Sequence, residues 1–410
     1  MPASRSRFLA LSLLTVSLIS FPRPLIAQQF NWPNLRGPAH NGVSGEGDWN
    51  WNWKVAAPKV KWRADVGLGY SSVAVVDGRV FTMGNTKAVD YIYALEEKSG
   101  RVLWNYSYPC TSDDISNRRG PRATPTVAGL RVFTLSHMGH LLCLDYNSGR
   151  LIWSRTLMKD LGGNRPLWGY SASPLVVGSL VIVETGNRKN ASVVALNAEN
   201  GRTVWASGTD DAGYSTPVPF QMGDLGGVAV LSGESLSGRL VNNGRILFRS
   251  QWRTRDGINV ASPLIWEDKV FVTSGYNSGA ALNRFGNNYF QALWSNRYFR
   301  SEMSSPVLID GHVYGFDDSE LRCVDIVNGV VKWRSNLYGK GALMAAGKRL
   351  VVQAENGPLA VVEATPWQFK ELARLPIASA KECWTQPVLS NGTIYARVGG
   401  SLVAVDVSTK

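Results

Sequence analysis

Histidine and cysteine are scarce in this chain, with four of each among 410 residues. His40, His137, His140 and His312 show no zinc-protease or zinc-finger spacing, and Cys110, Cys143, Cys323 and Cys383 all stand apart, so neither a metal motif nor a dense disulfide framework is written in the sequence. Charged residues make up only 18% against 44% hydrophobic, which excludes disorder and supplies a large core. Long apolar runs at helical spacing are missing, which argues against a helical bundle. Gly-x-Ser-x-Gly elbows and phosphate loops are missing too, so hydrolase chemistry has no candidate nucleophile.

Glycine, at 41, and tryptophan, at 15, are abundant, as expected of an all-β chain with many tight turns. The start, "MPASRSRFLALSLLTVSLISFPRPLIA", carries Arg5 and Arg7 ahead of an apolar run from Phe8 to Phe21. That run is too short to span a bilayer and reads as a secretory signal over residues 1–27, with Ala27 at the cleavage site. No Cys follows Ala27, so a lipid anchor is not expected, and the mature chain is expected in the periplasm or outside the cell, without a transmembrane helix and as a monomer. The net charge is +12, or +9 without Arg5, Arg7 and Arg23. The cations are scattered one per strand or turn, which reads as a basic soluble surface and not a nucleic-acid footprint.

The segment "DYNSGRLIWSR", Asp145 to Arg155, has near copies in "EEKSGRVLWNY", "NAENGRTVWAS" and "DIVNGVVKWRS". Aligned on the Trp, the copies fall at Trp62, Trp104, Trp153, Trp205, Phe248, Trp294, Trp333 and Ala373, with steps between 39 and 52 residues. That is the period of a four-stranded propeller blade. Each unit opens on small residues and usually Pro ("ATPTVA", "ASPLVV", "SSPVLI"), runs through two more alternating strands, and reaches the Trp strand by a Gly turn. The last unit, "TQPVLSNGTIYARVGGSLVAVDVSTK", lacks its fourth strand, whereas "KVKWRADV" at the front lacks its first three. The halves complete one another, which predicts a single all-β eight-bladed propeller of four-stranded antiparallel blades over residues 59–410, closed by the N-terminal strand joining the C-terminal blade, with a lead-in over 28–58.

The units "GYSASPLVVGSLVIVETGN...SVVALNAENGRTVW" and "MSSPVLIDGHVYGFDDSELRCVDIVNGVVKW" resemble the PQQ-type propeller repeat, found in quinoprotein dehydrogenases and in the outer-membrane assembly lipoprotein BamB. The resemblance covers roughly residues 59–410, and "WPNLRGPAHNGVSGEG" is similar to the lead-in of secreted PQQ-repeat proteins of this size. It implies that each Trp docks flat against the neighbouring blade. Phe248 without an N–H, a fifth unit without the short Gly turn and a seventh without the aromatic make blades four, five and seven the expected irregular ones.

Sites are expected in the connections from each outer strand to the next inner strand, which converge on the channel. There cations and aromatics alternate: Tyr70, Arg119, Arg122, Arg165, Trp168, Tyr170, Tyr214, Arg253, Arg255, Lys340 and Trp384, with Asn259 as a further polar group. They suit a small anionic or planar ligand, or an envelope protein, and the competing expectation is that the cations pair with Asp113, Asp114, Asp160, Asp210, Asp211 and Asp256 and only stiffen the rim. "SHMGH" reads as a solvated loop carrying His137 and His140. Cys143 and Cys323 read as buried small hydrophobes, and a Cys110–Cys383 disulfide across the ring closure is left open.

The leading expectation is a binding or scaffold protein that performs no chemistry, with no metal site. The alternative is a PQQ-dependent alcohol or sugar dehydrogenase using Ca²⁺. That family's clamp of adjacent cysteines is absent, while Glu184, Asp256, Asn259, Glu302, Asp317 and Asp318 are the oxygen ligands it would draw on. A third reading has Trp168 and Trp384 binding carbohydrate or another polymer.

Overall fold

The structure, a computed structural model, describes residues 29–111, 120–286 and 289–409. The expected leader over 1–27 and Arg119, Asp113 and Asp114 lie outside the described residues. Eight antiparallel sheets form the ring. Blade one consists of Ala74–Val76, Arg79–Thr86, Val89–Glu96 and Val102–Pro109, in that order from the channel outward, and the six that follow repeat this pattern. In blade eight, Val388–Ser390, Thr393–Val398 and Ser401–Asp406 supply three strands and Lys59–Asp65 supplies the fourth, with Trp62 opposite Ala404. The expected closure is therefore observed. Arg397 bolts the same seam: its buried guanidinium donates to the carbonyls of Met83 at 2.6 Å and Gly67 at 2.6 Å.

The repeated Trp and Gly are two halves of one joint. Trp104 of blade one donates its indole N–H to the Tyr146 carbonyl of blade two at 3.0 Å. Its ring lies on Gly149, where an added Cβ would come within 2.5 Å of Cε3. The same joint is made by Trp62 with Glu97 O and Gly100, by Trp153 with Ala198 O and Gly201, by Trp205 with Val241 O and Gly244, and by Trp294 with Ile326 O and Gly329. Each Gly has a positive φ, +71° at Gly149, so it turns the chain and also leaves the flat space that the neighbour's indole fills.

The irregular units differ for matching reasons. Phe248 has no N–H to donate, and blade five offers no Gly turn to receive it; instead the strands Gly279–Gly286 and Tyr289–Asn296 run long, and Phe290 stacks on Phe248 at 4.9 Å. Trp333 of blade six still reaches a carbonyl, that of Thr365, with Phe369 edge-on at 5.6 Å. Ala373 of blade seven faces a blade whose third-to-fourth-strand turn does not exist, because that fourth strand comes from the other end of the chain. Trp49 and Trp53 of the lead-in share the apolar cluster of Ala373.

Near the channel the small residues and prolines form a belt. Ser72 N–H donates to Thr124 Oγ1, Thr124 N–H to Ser173 Oγ and Ser173 N–H to Thr216 Oγ1, each blade's amide being satisfied by the next blade's hydroxyl. Proline placed just after each hydroxyl has no N–H that would need a partner in this crowded ring.

The lead-in enters the channel from the opposite face and plugs it. Trp32 pairs with Val75 of blade one, and Pro33 O accepts from Val127 of blade two. The chain turns at Gly37, whose φ of +74° lays it on the Trp32 ring, then returns, and Val43–Ser44 adds a parallel fifth strand to blade seven at Ala345 and Ala346. Arg36, 1% exposed, pins the turn by donating to Pro306 O at 2.5 Å, Asn41 O at 2.9 Å and Gln386 Oε1 at 3.2 Å. No helix among the described residues is long and apolar enough to cross a membrane.

Candidate functional site

Above the plug, on the face that carries the outer-to-inner connections, a cup of about 180 Å³ remains open. Leu35, at the tip of the lead-in, is its floor. Tyr70, Trp168, Tyr214, Tyr276 and Trp384 contribute aromatic wall, and Arg122 is the cationic group. Ser72, Thr216, Ser305 and Thr385, from the small-residue segments of four blades, add a hydroxyl layer.

The aromatic wall is held from behind by acids. Tyr70 and Trp384 stack with centroids 5.9 Å apart and planes at 18°. The Tyr70 hydroxyl donates to Glu382 Oε2 at 3.0 Å, and the Trp384 indole N–H donates to Glu355 Oε1 at 3.1 Å. Across the cup, the Trp168 backbone N–H donates to the Tyr214 hydroxyl at 3.2 Å, and the Tyr214 N–H donates to the Asn259 carbonyl. Burial raises the Tyr214 hydroxyl above its ordinary pKa, so it stays a neutral hydroxyl at physiological pH. The rings are thus fixed in place, and the carboxylates that fix them do not line the cup.

Of the residues singled out in the sequence, the structure gathers Tyr70, Arg122, Trp168, Tyr214 and Trp384 around this cup. Tyr170 is instead a core residue, 2% exposed, whose hydroxyl donates to Thr185 O at 2.9 Å. Asn259 is buried and belongs to the scaffold: its amide donates to Ser232 O and its carbonyl oxygen accepts from Ser274 Oγ. Lys340 is held between Glu302 at 2.9 Å and Asp318 at 2.8 Å, and Arg255 lies exposed beside Asp256. Arg165 is half-buried and does not line the cup. Of the expected pairs Arg255 with Asp256 is present; Lys340 is held by acids outside the expected set, and Asp210 and Asp211 pair instead with Arg249 and Arg188.

Leu35 and Tyr276 escaped the sequence reading. The Leu35 carbonyl accepts from Gln386, 351 positions away, a contact that no local pattern reveals. Tyr276 left a weak signal in "SGYNSG": it sits at φ +53° in the second-to-third-strand turn of blade five, a conformation that a non-Gly residue adopts at a cost. "SHMGH" corrects an expectation. His137 is 2% exposed and no solvated loop residue, while half-buried His140 accepts or donates through Nδ1 at Ser136 Oγ, 3.1 Å away. All four cysteines are buried and none is in a disulfide, so Cys110 and Cys383 are not bridged, and burial pushes the thiols of Cys143 and Cys323 up to about 12.

A family model described as "Outer membrane protein assembly factor BamB" matches residues 90–335. The chain belongs to the BamB family. Its similarity to BamB of Shewanella oneidensis is 25% identity over 384 residues, covering 85% of this chain and 88% of that one. BamB of Moranella endobia is 22% identical over 260 residues, 59% of this chain and 61% of that one. Among solved structures, BamB from Moraxella catarrhalis superimposes with a TM-score of 0.60 at 14% identity, covering 87% of this chain and 99% of that one. A europium-containing methanol dehydrogenase gives 0.68 at 14% identity with 90% of both chains covered, and quinohemoprotein alcohol dehydrogenase from Comamonas testosteroni gives 0.65 at 11%, covering 93% and 81%. At these identities the two dehydrogenases share the fold and carry no argument about activity.

The dehydrogenase likeness implies PQQ and a metal ion, and the cup does not fit them. PQQ is a planar tricarboxylate, and the described lining offers a single cation, Arg122, and no carboxylate that could ligate Ca²⁺. The volume is also below the roughly 300 to 1,000 Å³ of pockets that enclose drug-sized ligands. The oxygen ligands expected from sequence are engaged outside the cup: Asp317 is clamped by Arg300 and Arg322, Glu302 and Asp318 hold Lys340, and Glu184 accepts from Gly213 N–H deep in blade three.

Glu184 gives a pH prediction instead. Burial pushes its carboxyl up to about 8, against ~4.3 in an unfolded chain. Between those values the folded protein holds a proton that the unfolded one has released, so stability falls as pH rises through that window and levels off above it, by up to ~1.4 kcal/mol per pH unit. Glu184→Gln is expected to remove this slope: its urea midpoint exceeds that of the wild type at pH 8, and the advantage shrinks steadily as the pH is lowered toward 4.5. An unchanged profile would show that Glu184 ionises freely.

Proposed function

We propose that this BamB-family propeller is a non-catalytic scaffold of the cell envelope, docking a partner protein on the face that carries the cup. The observation that carries this reading is the occupied channel: the lead-in enters the ring and its tip, Leu35, floors an aromatic cup whose described lining includes the Arg122 guanidinium. Such a cup is sized for one or two side chains of a protein segment, an apolar or aromatic anchor beside a carboxylate that Arg122 would meet. The relatives named as outer membrane protein assembly factors support a partner among proteins engaged in building that membrane.

The test uses the full chain, which on this reading neither changes the absorbance of added PQQ with Ca²⁺ nor reduces a dye with an alcohol panel. Trp384→Ala and Arg122→Ala should each weaken partner capture by about 10-fold or more, the loss of a hot-spot side chain, while leaving the unfolding midpoint nearly unchanged. Stoichiometric PQQ binding with dye reduction would replace the scaffold reading by the dehydrogenase one.

A further inference from the structure

We infer that Asp90, Cys110 and His137 form a binding site for a zinc-class divalent cation that staples blade one to blade two. Their ligand atoms, a carboxylate oxygen, the sulfur and a ring nitrogen, all lie within 4.8 Å of one another, and the three residues are 0%, 3% and 2% exposed. They form the one such group of His, Cys and acidic side chains among the described residues. Nothing in the linear spacing announces it, because the ligands come from three places: Asp90 from the third strand of blade one, Cys110 from the end of its fourth, and His137 from the second-to-third-strand turn of blade two.

The donor set has the chemistry of a borderline-soft metal: one thiolate, one imidazole and one carboxylate, three protein ligands being the number that open tetrahedral zinc sites use. Cys110 Sγ and His137 Nδ1 are 4.0 Å apart, against the roughly 3.5 Å edge that zinc–sulfur and zinc–nitrogen bonds subtend. Small side-chain rotations close the difference. The outer partners are also in place. His137 Nε2 faces the Thr111 carbonyl at 3.1 Å, which makes Nε2 the protonated nitrogen and turns the Nδ1 lone pair toward Cys110. Asn85 Nδ2 donates to Asp90 Oδ1 at 2.7 Å and to the Cys110 carbonyl at 3.1 Å, and the Tyr108 hydroxyl reaches Asp90 Oδ2 at 3.3 Å. Each carboxylate oxygen keeps a second lone pair. On binding, the Cys110 thiol gives its proton to solvent, the imidazole ligates as the neutral ring, and the burial of a thiolate and a carboxylate is offset by the metal's charge.

The site lies behind the cup, since His137 O accepts from Tyr170 N–H and a Cβ on Gly169 would touch both His137 and Arg122. The metal therefore stiffens the wall that carries Arg122 without entering the cup, and this inference stands whether or not the scaffold reading does.

The measurement is the metal content of the full chain purified without chelator from medium supplemented with zinc, and separately with cobalt. The wild type is expected to carry one metal per chain, and the cobalt form to show the near-ultraviolet charge-transfer band of a thiolate ligand. Cys110→Ser and His137→Gln should each weaken metal binding by more than the ~10- to 100-fold that loss of an outer partner costs. Cys383→Ser should retain the metal and the band. Removal of the metal should lower the melting temperature of the wild type and leave Cys110→Ser unmoved. A wild-type chain without stoichiometric metal, or a cobalt form without the thiolate band, overturns the inference even if the variants fail to fold. Metal retained by both variants overturns it as well.

Discussion

Trp104→Ala lowers the unfolding free energy by about 3 to 5 kcal/mol, the usual cost of deleting a large buried aromatic, and it does so at a single joint of the ring. The expectation rests on the joint's two parts. The indole fills the flat space over Gly149 and satisfies the Tyr146 carbonyl, so its loss opens a cavity and strands an acceptor. Gly149→Ala attacks the same joint from the other side. The new Cβ meets the Trp104 ring at 2.5 Å, and the left-handed backbone adds roughly 1 to 2 kcal/mol of strain. The two changes must couple. Once Trp104 is absent, Gly149→Ala should cost only the backbone strain, giving a favourable interaction energy of about 1 to 3 kcal/mol in a double-mutant cycle read by urea unfolding. Additive costs would show that the turn and the Trp serve separate purposes.

The second large effect is expected at the plug. Arg36→Met removes the guanidinium that holds the lead-in's turn and leaves the carbonyls of Pro306 and Asn41 without their donor, at about 1 to 3 kcal/mol each. Burial pushes the Arg36 pKa down to about 9, which still leaves a cation at neutral pH, so charge-assisted hydrogen bonds are what is lost. The damage should be local. Hydrogen exchange and protease cleavage should rise within residues 30–46, while amides in the third strands of the blades stay protected. Uniform loosening of all eight blades would show that the lead-in is part of the ring's cooperative core and not an inserted plug.

The ring was legible in the sequence because its determinants are local and periodic. A Gly turn, a Trp four residues on, and a small-residue and Pro segment recur at intervals of 39 to 52 residues, and the two incomplete ends complement each other. Even the irregular joints were marked by Phe248 and Ala373, although the reason, a missing Gly turn on the receiving blade, shows only when neighbours are placed side by side. The cup was legible in part. Trp168, Tyr214 and Trp384 could be collected from connections known to converge, but pattern alone does not show which cation lines the cup, as Arg122 does, and which lies outside it, as Lys340 does. Tyr170 reads like Tyr214 in sequence, yet its hydroxyl is taken up by Thr185 O in the core. Leu35 and the Asp90, Cys110 and His137 group depend on contacts between distant segments or neighbouring blades, and their linear surroundings carry no sign of them.

The most direct test of the closed-channel scaffold is site-specific photo-crosslinking in intact cells. A photoreactive residue at Ser171, which lines the cup, is compared with one at Leu130, an exposed position in the first-to-second-strand turn on the opposite face. The account predicts a discrete protein adduct from Ser171 that disappears when Trp384→Ala or Arg122→Ala is added, and no such adduct from Leu130. The contradicting result is no adduct from the cup, or one that forms equally from the opposite face.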